Sequence, residues 1–257
     1  MQLLPDTHVN ARMKYLFVTL FIVLPPLVAI AEPRPIEVHQ VLAVPGTADD
    51  SVAALTLDAC DGAFDADLIR FLIDNRIAAT IFATKKWLNH NPAAVSLLTA
   101  HSDLFDIENH GANHVPAVIG RNREVYGIRG EWDVAHLKRE VTRGAEAVNA
   151  ATGFPPQWYR GATGEYDPEA IRVIEAMGYK VAGFSVNADD GATLSRRRIV
   201  ARLRRVKNGD IIIAHLNRPD SDTAEGLIEG LKLLRDRRFR FVKLNDAQVV
   251  PAPKRDR

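Results

Sequence analysis

Short apolar runs alternate with amphipathic helical patterns along most of this chain, and that alternation constrains its fold more than any other feature. Val52 to Leu57 reads as a buried strand, followed by a helix from about Asp67 to Asn75. Ala78 to Ala83 is a second strand, and a helix continues through Trp87, Val95 and Leu98. Leu104 to Ile107 is the third strand; Asp133 to Ala150 is a helix with Val134, Leu137, Val141 and Val148 on one face. Gln157 to Tyr159 is a short strand, and Pro168 to Met177 a helix with Asp167 as its N-cap and Gly178 as its stop. Lys180 to Ser185, Asp210 to Ala214 and Arg240 to Leu244 complete the strands, with helices between them. Repeated strand-then-helix units demand parallel strands joined by crossover helices. The seven strands suit a single α/β domain, a distorted or incomplete (β/α)7-type barrel, better than two domains.

Four regions follow from the composition. Residues 1–31 read as a cleaved signal peptide: Arg12, Met13 and Lys14 precede an apolar run from Tyr15 to Ile30, and Ala29-Ile30-Ala31 is a small-x-small cleavage site. That run contains Pro25-Pro26 and is shorter than the ~20 residues a bilayer span requires. The pattern predicts an exported protein, periplasmic or secreted, with no stable membrane insertion after cleavage. Residues 32–50 form a leading segment, 51–250 the domain, and 251–257 a basic tail. Arg121 to Trp132 is an insertion rich in charged and aromatic residues, placed as a rim loop.

A formal charge of +1 argues against broad electrostatic capture of nucleic acid. The strongest basic run, Arg196 to Arg205, carries Ile199, Leu203 and Val206 at helical spacing, which makes it an amphipathic helix with a solvated basic face. Cys60 is the single cysteine, so no intramolecular disulfide forms, and a small buried cysteine behaves as a packing residue; a metal thiolate or a nucleophile is the sharper alternative. Trp87 and Phe82 are assigned to the core, and Trp132 and Trp158 are candidates for stacking on a sugar face.

Reactive residues of parallel barrels collect at the carboxyl ends of strands, and polar residues stand at nearly every such end here. Asp58-Ala59-Cys60-Asp61-Gly62 follows the first strand, and Glu108-Asn109-His110-Gly111-Ala112-Asn113-His114 the third. Arg160-Gly161-Ala162 follows the fourth, Asn187-Ala188-Asp189-Asp190 the fifth, and His215 the sixth. Two histidines four residues apart are either two polar loop side chains facing water or metal ligands, and with a carboxylate such ligands leave a coordination position open. A second carboxylate can act as general base on water and a histidine opposite can protonate the leaving group. An arginine can hold the base, and an aspartate can orient the acid histidine. The inventory describes a metal-assisted hydrolase of an amide or ester.

In motif order the chain resembles the polysaccharide deacetylases, the NodB-homology domains of carbohydrate esterase family 4. The resemblance rests on Thr56-Leu57-Asp58-Ala59-Cys60-Asp61-Gly62, Asp106-Ile107-Glu108-Asn109-His110 to Pro116, Tyr159-Arg160-Gly161-Ala162, Ser185 to Asp190, and Ile213-Ala214-His215, over about residues 50 to 245. It implies Asp58 as base, His215 as acid, Arg160 as holder of the base, and His110, His114 and Asp61 as ligands of a divalent metal. Zinc fits that set best, with cobalt or nickel also matching. The family's adjacent aspartates are separated here by Ala59-Cys60, which leaves a second register open, with Asp58 on the metal. Asp190 is assigned to orient His215, with Asp189 as the second candidate for that role. The implied activity is removal of N- or O-acetyl groups from a polysaccharide or oligosaccharide. Two competitors stand beside it: a catalytically inactive carbohydrate-binding protein of the same fold, and a hydrolase of a small amide.

Overall fold

The computed structural model describes residue 2, residues 34–44 and residues 51–253. The signal peptide pattern and the end of the basic tail, from residue 254, lie outside the described residues. The chain divides into two compact units, Met1–Glu32 and Pro33–Arg257, and every element below belongs to the second.

In chain order the main elements are β1 (Ser51–Ala59), α1 (Ala66–Asp74), β2 (Ala79–Ala83), α2 (Lys85–His90), α3 (Pro92–Ala100), β3 (Phe105–Asn109), α4 (Val134–Thr152), β4 (Trp158–Tyr159), α5 (Pro168–Ala176), β5 (Lys180–Val181), β6 (Val186–Asn187), α6 (Arg196–Leu203), β7 (Ile211–His215), α7 (Thr223–Asp236) and β8 (Phe239–Val242). The sheet order is β5-β4-β3-β2-β1-β7-β6, every pairing is parallel, and β8 joins the first residues of β1. This is the expected α/β architecture, a curled sheet of parallel strands forming a distorted, incomplete barrel.

Helix boundaries obey local chemistry. Asp65 caps α1 by accepting from the Leu68 N–H at 3.0 Å, and Asp133 caps α4 by accepting from the His136 N–H at 2.9 Å. Asp167 stands at the N-cap position of α5 as expected, but its carboxylate does not cap. It accepts instead from the Ile119 N–H at 2.7 Å and from Arg123 Nη1 at 2.8 Å, tying the start of the insertion to the domain. Helix α6 buries Ile199, Val200 and Leu203 and exposes Arg196, Arg197 and Arg198, the solvated basic face read from its spacing. Leu55, Leu57, Ile69, Leu72, Ile81, Leu227 and Leu231 are fully buried between sheet and helices, each contributing about 1.5–3 kcal/mol of transfer free energy. Trp87 and Phe82 are core residues, as expected.

One strand departs from the reading. Lys180 to Ser185 is not continuous: Lys180–Val181 pairs with β4, Val186–Asn187 pairs with β7, and the chain kinks between them, so one segment supplies both edges of the sheet. The cause is the leading segment. Val38 O accepts from the Phe184 N–H at 3.1 Å, the Gln40 N–H donates to Phe184 O at 3.2 Å, and Gln40 Oε1 accepts from the Gly183 N–H at 2.7 Å. Backbone groups that would have continued the ladder are thereby taken. A Cβ at Gly183 would stand 2.8 Å from the carbonyl carbon of Val38, so only glycine lets the two backbones approach this closely.

Register places the site. Asp58 near the end of β1 faces Phe82 of β2 on one side and His215 of β7 on the other. Asn109, at the end of β3, faces Ala83 and Tyr159. The residues that follow Asn109 and Tyr159 are His110 and Arg160, so four candidate groups leave the same end of neighbouring strands.

Candidate active site

Side chains of a strand alternate between faces, so Thr56 and Asp58 point the same way; just past the strand end, Cys60 joins that face and Asp61 turns from it. Arg160, fully buried, reads that face: Nη1 donates to Thr56 Oγ1 at 2.9 Å and to Asp58 Oδ1 at 2.8 Å, and Nη2 donates to Gly183 O at 3.2 Å. Its guanidinium also lies 4.2 Å from the centroid of the Phe82 ring. Burial alone would raise the Asp58 carboxyl, but the charges of Arg160, His110 and His215 outweigh it and hold the group below the ordinary carboxylate range. Asp58 is therefore a buried anion with one oxygen held and the other 3.8 Å from His110 Nε2.

His110 is buried, and its Nδ1 lies 2.8 Å from the carbonyl oxygen of Arg160. A carbonyl only accepts, so in the neutral ring Nδ1 carries the proton and Nε2 presents its lone pair. That Nε2 is 3.5 Å from Cys60 Sγ. His114 stands beside His110, with ring centroids 5.0 Å apart, in a left-handed backbone conformation with φ of 64°.

A conformation of that kind persists only where surrounding bonds hold it. Helix α4 supplies them. Glu140 Oε1 accepts from the Asn113 N–H at 2.6 Å and the Val115 N–H at 3.4 Å, and Oε2 accepts from Asn113 Nδ2 at 2.9 Å. Asn109 Nδ2 donates to Val141 O at 2.8 Å while its Oδ1 accepts from the Gly111 N–H at 2.8 Å. Gly144 allows this docking, since a Cβ there would come within 2.7 Å of the Gly111 carbonyl carbon.

On the other side of Asp58, His215 Nδ1 lies 3.0 and 3.1 Å from the two oxygens of the buried Asp189. Asp189 Oδ2 also accepts from the His215 N–H at 2.8 Å and from Thr223 Oγ1 at 3.2 Å. Burial would depress His215, but hydrogen bonding to Asp189 and the neighbouring Cys60 lift its pKa well above that of an ordinary histidine. Cys60 is pulled the opposite way: against the effect of burial, contact with His110, His114 and His215 lowers its thiol well below the usual range.

Asp58, Cys60, His114, His215 and Asn217 wall a cavity of about 550 Å³, with Tyr126 and Ile128 of the insertion on its rim. The insertion is a short hairpin, Glu124–Val125 against Ile128–Arg129, and it reaches the site as a rim loop.

Two expected site residues are not where the motif reading placed them. Asp61 is turned away: its carboxylate accepts from the Gly62 N–H at 2.8 Å, lies 3.4 Å from His90 Nδ1, and its side chain is 55% exposed. The strand ends at Ala59, and the path of the chain just beyond it brings Cys60 inward in place of Asp61. Asp190 lines the cavity but does not bond His215: its backbone turns with φ of 55°, its N–H donates to Asn187 Oδ1 at 2.8 Å, and Arg202 Nη2 lies 3.8 Å from its carboxylate. The partner of His215 is Asp189. Trp158 is buried with its indole N–H donating to Asn245 Oδ1 at 3.0 Å, so it offers no face to a sugar; Trp132 is exposed, with the Arg121 guanidinium 4.5 Å from its ring centroid. Glu140 was not singled out in the sequence, and no local pattern marks it.

Cys60 Sγ and one ring nitrogen each of His110 and His114 lie within 4.8 Å of one another, the one group of three metal-ligating residues among the described residues. Such a cluster of soft and borderline donors fits zinc, cobalt or nickel.

Comparison with known proteins agrees with the fold. Residues 46–182 match the family model of polysaccharide deacetylase. No curated protein shows a significant match. Among solved structures, the family 4 carbohydrate esterase from Streptomyces lividans in complex with acetate is 22% identical with a TM-score of 0.63, covering 80% of this chain and 100% of that one. The peptidoglycan deacetylase PdaC from Bacillus subtilis is 20% identical with a TM-score of 0.62, covering 77% and 90%. A family 4 pseudoenzyme from Bacillus anthracis is 17% identical with a TM-score of 0.62, covering 77% and 65%. At these identities the likeness is one of fold.

Proposed function

The chain belongs to the polysaccharide deacetylase family, and from that premise we propose that it is a metal-dependent hydrolase removing N- or O-acetyl groups from a polysaccharide, exported as its leader pattern suggests. The observation that carries this reading is that Asp58, held by Arg160, and His215, held by Asp189, share one cavity with His114, with the buried His110 beside His114. A bound divalent metal, zinc foremost, supplies Lewis-acid polarisation of the acetyl carbonyl and activation of water.

His110 and His114 hold that metal. Asp58 is the base: Arg160 occupies Oδ1 and fixes the carboxylate plane, and Oδ2 takes a proton from the attacking water. His215 is the acid. With Nδ1 committed to Asp189, its Nε2 is left to give a proton to the departing sugar nitrogen or oxygen as the bond to the acetyl carbon breaks. Burial keeps bulk water from the contact between Arg160 Nη1 and Asp58 Oδ1 and strengthens it, while Oδ2 is left for the reaction.

Acetate release from acetylated chitooligosaccharide and from acetylated cell-wall glycan tests the reading. Release should stop with chelator and return with added zinc; equal release in chelator would sink the metal mechanism. A second reading, a carbohydrate-binding protein without catalysis, draws on the divergent first motif. Glycan binding without release, unaffected by Asp58→Ala and His215→Ala, would select it. A third, hydrolysis of a small amide, draws on the Tyr126 and Ile128 wall of the cavity. Faster turnover of a small N-acetyl compound than of any oligosaccharide would select that one.

A further inference from the structure

We propose that the third protein donor to the metal is the thiolate of Cys60, so that the centre is Cys-His-His and Asp58 stays free of it. This rests on the reading that a divalent metal binds beside His110 and His114.

Distance supports it. With metal–sulfur and metal–nitrogen bonds of about 2.3 and 2.0–2.1 Å, two donors on a tetrahedral ion stand about 3.6 Å apart. Cys60 Sγ and His110 Nε2 are 3.5 Å apart. The proton on His110 is spent on the Arg160 carbonyl, so the atom facing the sulfur carries a lone pair. His114 brings its ring nitrogen into the same cluster.

The carboxylates nearby are committed elsewhere. Asp61 faces outward toward His90 and the Gly62 N–H. Asp189 is taken by His215 and Thr223. Asp58 is held on Oδ1 by Arg160, and its other oxygen is 3.8 Å from His110 Nε2, outside the close group of three. The path of the chain beyond Ala59 that turns Asp61 out turns Cys60 in. A thiolate carries the same single negative charge as a carboxylate, so the substitution preserves the charge of the centre while selecting softer metals: zinc and cobalt over manganese and magnesium.

The full-length protein loaded with one equivalent of Co²⁺ tests this directly. Thiolate ligation gives an intense sulfur-to-cobalt charge-transfer band in the near ultraviolet, which histidine and carboxylate ligands do not. The band is expected in the parent protein and absent in Cys60→Ser, whose cobalt affinity should fall by more than the roughly 10–100-fold that loss of an outer-shell partner costs. A second measurement needs no variant: bound cobalt or zinc should block alkylation of Cys60 by iodoacetamide in the parent protein. Cobalt bound through His110 and His114, lost in His110→Ala, with no charge-transfer band and with unprotected Cys60, overturns the thiolate assignment and leaves metal-dependent deacetylation standing. Absence of any metal binding overturns both.

Discussion

Arg160 Nη1 donates to Asp58 Oδ1 at 2.8 Å, with the guanidinium fully buried and its face on the Phe82 ring. Each charge is balanced chiefly by the other, which makes the pair dependent on both members. Removing one partner of such a buried pair leaves an uncompensated charge and costs about 3–5 kcal/mol. Arg160→Ala should therefore lower stability in urea unfolding by about that amount, and Arg160→Ala with Asp58→Asn should recover part of it. A single variant as stable as the parent would show that the pair does not stabilise the fold.

Glu140 acts through the backbone it holds. Its bonds to Asn113 and Val115 keep the His110–His114 loop in its left-handed turn. Glu140→Ala should weaken metal affinity by roughly 10–100-fold, the range seen for outer-shell partners, in competition with a chromophoric chelator. Glu140→Gln retains an amide oxygen that accepts from the Asn113 N–H, and should fall between the two. Equal affinities in all three proteins would remove Glu140 from the site's support.

Asp189 and Asp190 are neighbours with different jobs. Asp189→Asn should reduce kcat/KM for acetate release by as much as ~10⁴-fold, since an amide cannot hold His215 in the tautomer that the carboxylate does. Asp190→Asn leaves the Asp189–His215 pair in place and should cost far less. The reverse order would restore the assignment of Asp190 as the orienting residue.

Glu131 gives a pH signature. Burial first, then the nearby Glu140 charge, raises its pKa from 4.5 to about 7, while Arg139 opposes the shift. A carboxyl whose folded pKa is raised binds more protons folded than unfolded between those two values. Its contribution to stability is therefore full below pH 4.5 and is lost as pH rises to about 7. Urea unfolding at pH 5 and pH 7.5 should show a larger loss in the parent than in Glu131→Gln; identical pH dependence would contradict the assignment.

Strand-helix alternation was legible because buried strands of a parallel sheet are short apolar runs and their crossover helices carry a 3.6-residue stripe, both local properties. By itself the sequence determined the parallel α/β architecture and the family, and placed Asp58, Arg160, His110, His114 and His215 as candidates, since each stands at a strand's carboxyl end. It did not determine which of several adjacent polar residues faces inward. Cys60 and Asp61 are one residue apart and point to opposite sides, and Asp189 and Asp190 differ by a left-handed turn at the second. Those choices depend on backbone direction beyond the strand, where periodicity ends and packing takes over. The kink at Gly183 and the hold of Glu140 on the histidine loop join segments 143 and 27 residues apart, and such contacts exist only in the folded domain.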